Sequence, residues 1–87
     1  MTEPPRLQFP CAYPIKVVAR TAPDLRHTLD DVFARLAGPA ALSQVSERPS
    51  GQGNFVSITY VIEAQSEMQI SALFQELKQC PSVVMVL

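Results

Sequence analysis

Two stretches of the chain alternate and two repeat with helical spacing, and the order in which they come sets the fold. Over Tyr13-Pro14-Ile15-Lys16-Val17-Val18-Ala19-Arg20, Ile15, Val17 and Ala19 share one face, and Lys16, Val18 and Arg20 share the other, the period of a strand. Pro14 suits the start of that strand. Thr21-Ala22-Pro23-Asp24 reads as a helix opening: a hydroxyl cap, a proline in the first turn and an early carboxylate. Leu25, Leu29, Val32, Phe33 and Leu36 follow as one apolar stripe, with Arg26, His27, Asp30, Asp31 and Arg35 largely opposite. Gly38-Pro39 ends that helix.

Leu42-Ser43-Gln44-Val45-Ser46-Glu47-Arg48 is polar enough to predict an edge strand. After a turn at residues 49–54, Val56, Ile58, Tyr60 and Ile62 alternate with Phe55, Ser57, Thr59 and Val61. Ser66-Glu67-Met68-Gln69 has the form of a capping box, in which Ser66 caps the third helical amide and Gln69 reaches back to the Ser66 amide. Ile70, Leu73, Phe74 and Leu77 continue the helix, Pro81 stops it, and residues 82–87 make a last apolar strand. The order β-α-β-β-α-β predicts an α+β, ferredoxin-like sandwich: a four-stranded antiparallel sheet, first and third strands central, with both helices on one face. Residues 1–10 read as a flexible arm and residues 11–87 as one domain.

Composition narrows the function classes. The chain has 87 residues, 47% apolar and 17% charged, with a formal net charge of -1. That balance is globular and offers no basic excess for nucleic acid. No apolar run approaches the ~20 residues that cross a bilayer. Met1-Thr2-Glu3-Pro4-Pro5-Arg6 lacks the layout of a signal peptide, so a cytoplasmic location with free thiols at Cys11 and Cys80 is the expectation. Neither those cysteines nor His27 show metal-ligand spacing, and no metal or cofactor is expected.

Candidate chemistry gathers at Arg48-Pro49-Ser50-Gly51-Gln52-Gly53-Asn54-Phe55. Glycines there free the backbone to turn or to face a ligand, Arg48 suits a carboxylate or phosphate, and Asn54 offers both donor and acceptor. The same residues equally suit a plain hairpin connection. Gly51-x-Gly53 lacks the third glycine and the following helix of a nucleotide loop.

The runs Phe9-Pro10-Cys11, Tyr13-Pro14-Ile15-Lys16-Val17, Arg48-Pro49-Ser50, Gly53-Asn54-Phe55-Val56-Ser57-Ile58-Thr59 and Val84-Met85-Val86-Leu87 resemble the YbeD-like family of small bacterial proteins. The resemblance implies the ferredoxin-like fold and a likeness to ACT-type regulatory domains, which bind small ligands or pair with copies of themselves. Gln52 stands where that family usually has a lysine, and Phe55 where it often has a tyrosine.

With both helices on one side, Lys16, Val18, Arg20, Phe55, Ser57, Thr59 and Val61 should form an open sheet face. RNA-recognition modules use such a face, but Gly53 and Ile58 stand here where stacking aromatics belong. An acylphosphatase would need glycines after the first strand, where Arg20-Thr21-Ala22-Pro23 has none. His27, Asp30 and Asp31 read as solvated surface groups. No nucleophile, base and orienting group can be assembled, so the chain is expected not to be an enzyme.

Two functions remain. One is a regulatory or adaptor module that docks on a protein through the turn, the open face or an edge strand, surfaces that also allow a homodimer. The other is an ACT-like sensor of a small carboxylate or amino-acid-like ligand. The candidate binding residues are Lys16, Arg48, Ser50, Gly51, Gly53, Asn54 and Phe55, with neither nucleic acid nor membrane as partner.

Overall fold

Alternation in the two longest strands sets the architecture. The computed structural model describes residues 8–87. In chain order it contains β1 (Cys11–Arg20), α1 (Leu25–Ala37), a 3-10 turn (Pro39–Leu42), β2 (Val45–Pro49), β3 (Phe55–Ala64), α2 (Glu67–Lys78) and β4 (Val83–Val86). The sheet order is β2-β3-β1-β4, with every pair antiparallel. β1 and β3 are therefore central and pair along their full lengths, from Cys11 with Ala64 to Arg20 with Phe55. This is the expected α+β ferredoxin-like arrangement. Most of the expected arm, residues 1–7, lies outside the described residues, while Phe9 packs against the core.

The helix-covered face holds Ile15, Val17 and Ala19 of β1 and Val56, Ile58, Tyr60, Ile62 and Ala64 of β3, all buried. Leu25, Leu29, Val32 and Phe33 of α1 and Leu73 and Leu77 of α2 close over them in one cluster. Phe33 and Tyr60 stack with ring centroids 3.8 Å apart and planes 13° apart. An aromatic pair in a closed core adds about 1 kcal/mol to the burial of two large rings.

Several local expectations are corrected. β1 begins at Cys11, because the β3 ladder continues to Ala64. Pro14 is thus inside a strand. Lys16 exchanges both backbone hydrogen bonds with Leu87, at 3.0 and 2.8 Å. Pro14, two residues earlier, directs its missing N–H to that same side, beyond the paired residues of β4, so no ladder bond is lost. β2 is shorter than expected, since Pro39–Leu42 coils into a 3-10 turn that buries Ala41. Ser43 closes it, its Oγ donating to the Ala40 carbonyl at 2.8 Å.

Helix α1 starts after Asp24, not after Thr21, and Asp24 makes no side-chain cap. In α2, Ser66 accepts from the Gln69 amide at 3.1 Å as expected. Gln69 does not complete the box. Its Oε1 accepts from the Gln65 amide at 2.7 Å, and its Nε2 donates to the Leu36 carbonyl at 3.0 Å, tying α2 to the end of α1.

Candidate functional site

The hairpin between β2 and β3 is closed by its own groups. The Ser50 amide donates to the Phe55 carbonyl at 2.8 Å, and Ser50 Oγ accepts from the Phe55 amide at 3.2 Å. Gly53 has φ of 75° and its amide donates to the Ser50 carbonyl at 3.0 Å. Thr21, expected to cap a helix, instead fastens this turn to the end of β1. Its Oγ1 donates to the Gly53 carbonyl at 2.7 Å and its amide to the Asn54 carbonyl at 3.0 Å. Gly53→Ala should cost about 1–2 kcal/mol, because a Cβ strains the left-handed backbone although the space around it is open. Gly51→Ala, with no positive φ, should stay within about 0.5 kcal/mol when the two variants are compared by urea titration.

The predicted site residues that line a hollow fall around two separate ones. Gly53 lines a hollow on the helix side of the turn with Thr21, Leu25, Arg26 and Val56. Arg48 pairs with Ser57, whose other neighbour is Val18, and so projects onto the opposite, open face. There it joins Lys16, Ser46, Ser57 and Thr59 around a hollow of about 250 Å³. Lys16, Arg48 and Phe55 thus share the open face. Ser50, Gly51 and Asn54 line neither of these two hollows.

Apolar and basic side chains interleave on the open face. Val18 pairs with Met85, Lys16 stands beside Leu87, and Arg20 pairs with Phe55. Phe55 is 42% exposed, Met85 49% and Leu87 59%. These are three of the five large exposed hydrophobics among the described residues; the others are Val84, also in β4, and Met68 on α2. Lys16, Arg20 and Arg48 form no ion pair among the described residues.

The sequence reading missed one polar network. Tyr60 is fully buried, and its Oη donates to Asp30 Oδ1 at 2.5 Å, where Arg26 Nε also donates at 2.8 Å. Arg26 Nη1 lies 3.8 Å from Glu47 of β2. Asp30 is therefore half-buried against the sheet and not one of a solvated trio. The available signal was Tyr60 itself: a tyrosine on the inward face of a central strand needs a partner for its hydroxyl. Burial, then the hydrogen bond to Asp30, raises the Tyr60 phenol well above its ordinary pKa.

Asp31 and Arg35 pair at 3.0 Å as their spacing implies, and Arg35 also reaches Glu76 of α2 at 3.7 Å. Cys11 and Cys80 are both unpaired and half-buried. Burial, then the Glu76 charge, pushes the Cys80 thiol up, away from nucleophilic character. Among the described residues no group of three or more His, Cys, Asp and Glu is placed to hold a metal ion. No helix among the described residues is long and apolar enough to cross a membrane.

The family model described as "Protein of unknown function (DUF493)" matches residues 4–87. The chain belongs to this family. A UPF0250 protein of Hahella chejuensis is 35% identical over 85 residues, covering 98% of this chain and 93% of that one. Another, from Paraburkholderia phytofirmans, is 31% identical over 80 residues, covering 92% and 90%. The YbeD-like resemblance and these matches agree. Among solved structures, protein HP0495 of H. pylori superposes with a TM-score of 0.75 at 20% identity, covering 99% of this chain and 90% of that one. At that identity the likeness establishes the fold, and it is the fold described above.

Proposed function

We propose that this family member is a non-catalytic docking module whose contact surface is the open sheet face. The observation that carries the reading is the apolar strip of Val18, Phe55, Met85 and Leu87, contributed by three adjacent strands and left uncovered by both helices. Large hydrophobics gathered on one rigid sheet face are the usual core of an interface, and the flanking Lys16, Arg20 and Arg48 suit its polar rim. The turn supports the face more than it contacts a partner, since Ser50, Gly53 and Thr21 are engaged with one another.

The β4 edge is a second contact route. β2 is blunted by Glu47, Arg48 and Pro49, whereas β4 is the uncharged run Val83-Val84-Met85-Val86 at the other margin. That edge also suits strand pairing between two copies of the chain. A carboxylate sensor built jointly from Arg48, Gly53 and Asn54 has less support, because Arg48 and Gly53 line hollows on opposite sides of the sheet.

Capture of partners from the native lysate tests the reading. The Phe55→Ser/Met85→Ser variant should lose a partner that wild type and Gln52→Ala retain. Equal retention by all three would remove the open face from the account.

A further inference from the structure

We infer that the hollow on the open face is a seat for a single phosphate group. Two cross-strand rows build it. Lys16, Thr59 and Ser46 stand side by side on β1, β3 and β2, and Val18, Ser57 and Arg48 form the next row. Short hydroxyl side chains occupy the middle, and the long cationic ones rise from β1 and β2 on either side. That alternation of short and long is what leaves the hollow open.

The chemistry matches a phosphate better than a carboxylate. Lys16 and Arg48 bring two positive charges with no carboxylate paired to either among the described residues. Arg48 offers a planar fork of donors and Lys16 a compact ammonium. Ser46, Ser57 and Thr59 each add one hydroxyl donor. Donors approaching from two sides and from below suit the three or four oxygens of a dianion, where a planar carboxylate would leave some unused. Glu47 also lines the hollow. Its cross-strand partner is Ile58, on the helix-covered face, and its carboxylate turns to Arg26.

The seat borders the apolar strip and uses Lys16 and Arg48 of its rim, but it needs no partner protein, so phosphate binding by the isolated chain tests it apart from the docking reading. It takes a phosphate that is free or on the end of a monoester. Inorganic phosphate and phenyl phosphate separate these sources, since an aryl ester gains from Val18 and Phe55 nearby.

The test is an amide and arginine-side-chain NMR titration at neutral pH with ionic strength held constant by sodium chloride. Saturable shifts are expected at Ser57, Thr59 and Arg48 Nε. Lys16→Gln and Arg48→Gln should each weaken binding about tenfold, the scale of one charge-assisted hydrogen bond, with spectra that stay dispersed. Arg35→Gln, on the helical side, should change nothing. Tighter binding of phenyl phosphate marks a monoester and equal binding a free anion; either supports the seat. No saturable shift, shifts that chloride alone reproduces, or binding unchanged in both Gln variants would overturn it.

Discussion

Phe33→Ala is expected to lower the unfolding free energy by about 3–5 kcal/mol, the cost of emptying an aromatic site in a closed core. Phe33 is fully buried and its ring lies flat against Tyr60, so truncation leaves a void beside a second large side chain. The surroundings are poorly placed to collapse into it. Tyr60 sits in a central strand paired on both sides, and its hydroxyl is held by Asp30. For a domain this small the loss should lower the melting temperature by roughly 15 °C or more. Phe55→Ala is the internal control. That ring is 42% exposed, and its loss should cost no more than about 1 kcal/mol in the same urea titration. Equal losses for the two would show that the stacked pair is not central to the core.

Asp30→Ala should be the second large effect, at about 2–3 kcal/mol, and larger than Tyr60→Phe at about 1 kcal/mol. The inequality follows from what each leaves behind. Without Asp30, a fully buried phenol loses its acceptor and Arg26 loses its nearest carboxylate. Without the phenol, Asp30 keeps Arg26, and with 28% side-chain exposure it can still reach water. The pH dependence has a definite sign. The folded protein holds the Tyr60 proton more tightly than the unfolded chain does. Its stabilising contribution is therefore complete below about pH 10, the ordinary phenol value, and is lost as pH rises from there toward the folded value. Urea midpoints of wild type should fall faster above that pH than those of Tyr60→Phe. Parallel curves would show that the phenol is not held this way.

The legible and illegible parts of this chain differ in range. Ile15, Val17, Ala19 and the Val56, Ile58, Tyr60, Ile62 series declare themselves by period, because burial on one side of a pleat leaves a local imprint. The placement of Lys16, Val18, Arg20, Phe55, Ser57 and Thr59 on one uncovered face follows from the same parity. Side chains with a choice of partner leave no such imprint. Thr21 has the chemistry of a cap, yet its hydroxyl finds the Gly53 carbonyl 32 positions away. Gln69 prefers Gln65 and Leu36 to the local capping contact. Asp30 fits a surface pair with Arg26 until the sheet brings up Tyr60, another 30 positions on. The candidate turn shows the same limit: Arg48 and Gly53 are near neighbours in sequence, yet Arg48 projects from β2 onto the open face while Gly53, in the turn beyond that strand, lines the hollow on the helix side.

The docking face is most directly tested by photo-cross-linking in the native cell, with a photoreactive residue at Met85 or at Met68. Both methionines are exposed, at 49% and 81%; Met85 is on the open face and Met68 on α2. A discrete cross-linked protein from position 85, absent from position 68 and lost with Phe55→Ser, is the result expected here. A partner captured from position 68 but never from position 85 would contradict docking through the open sheet face.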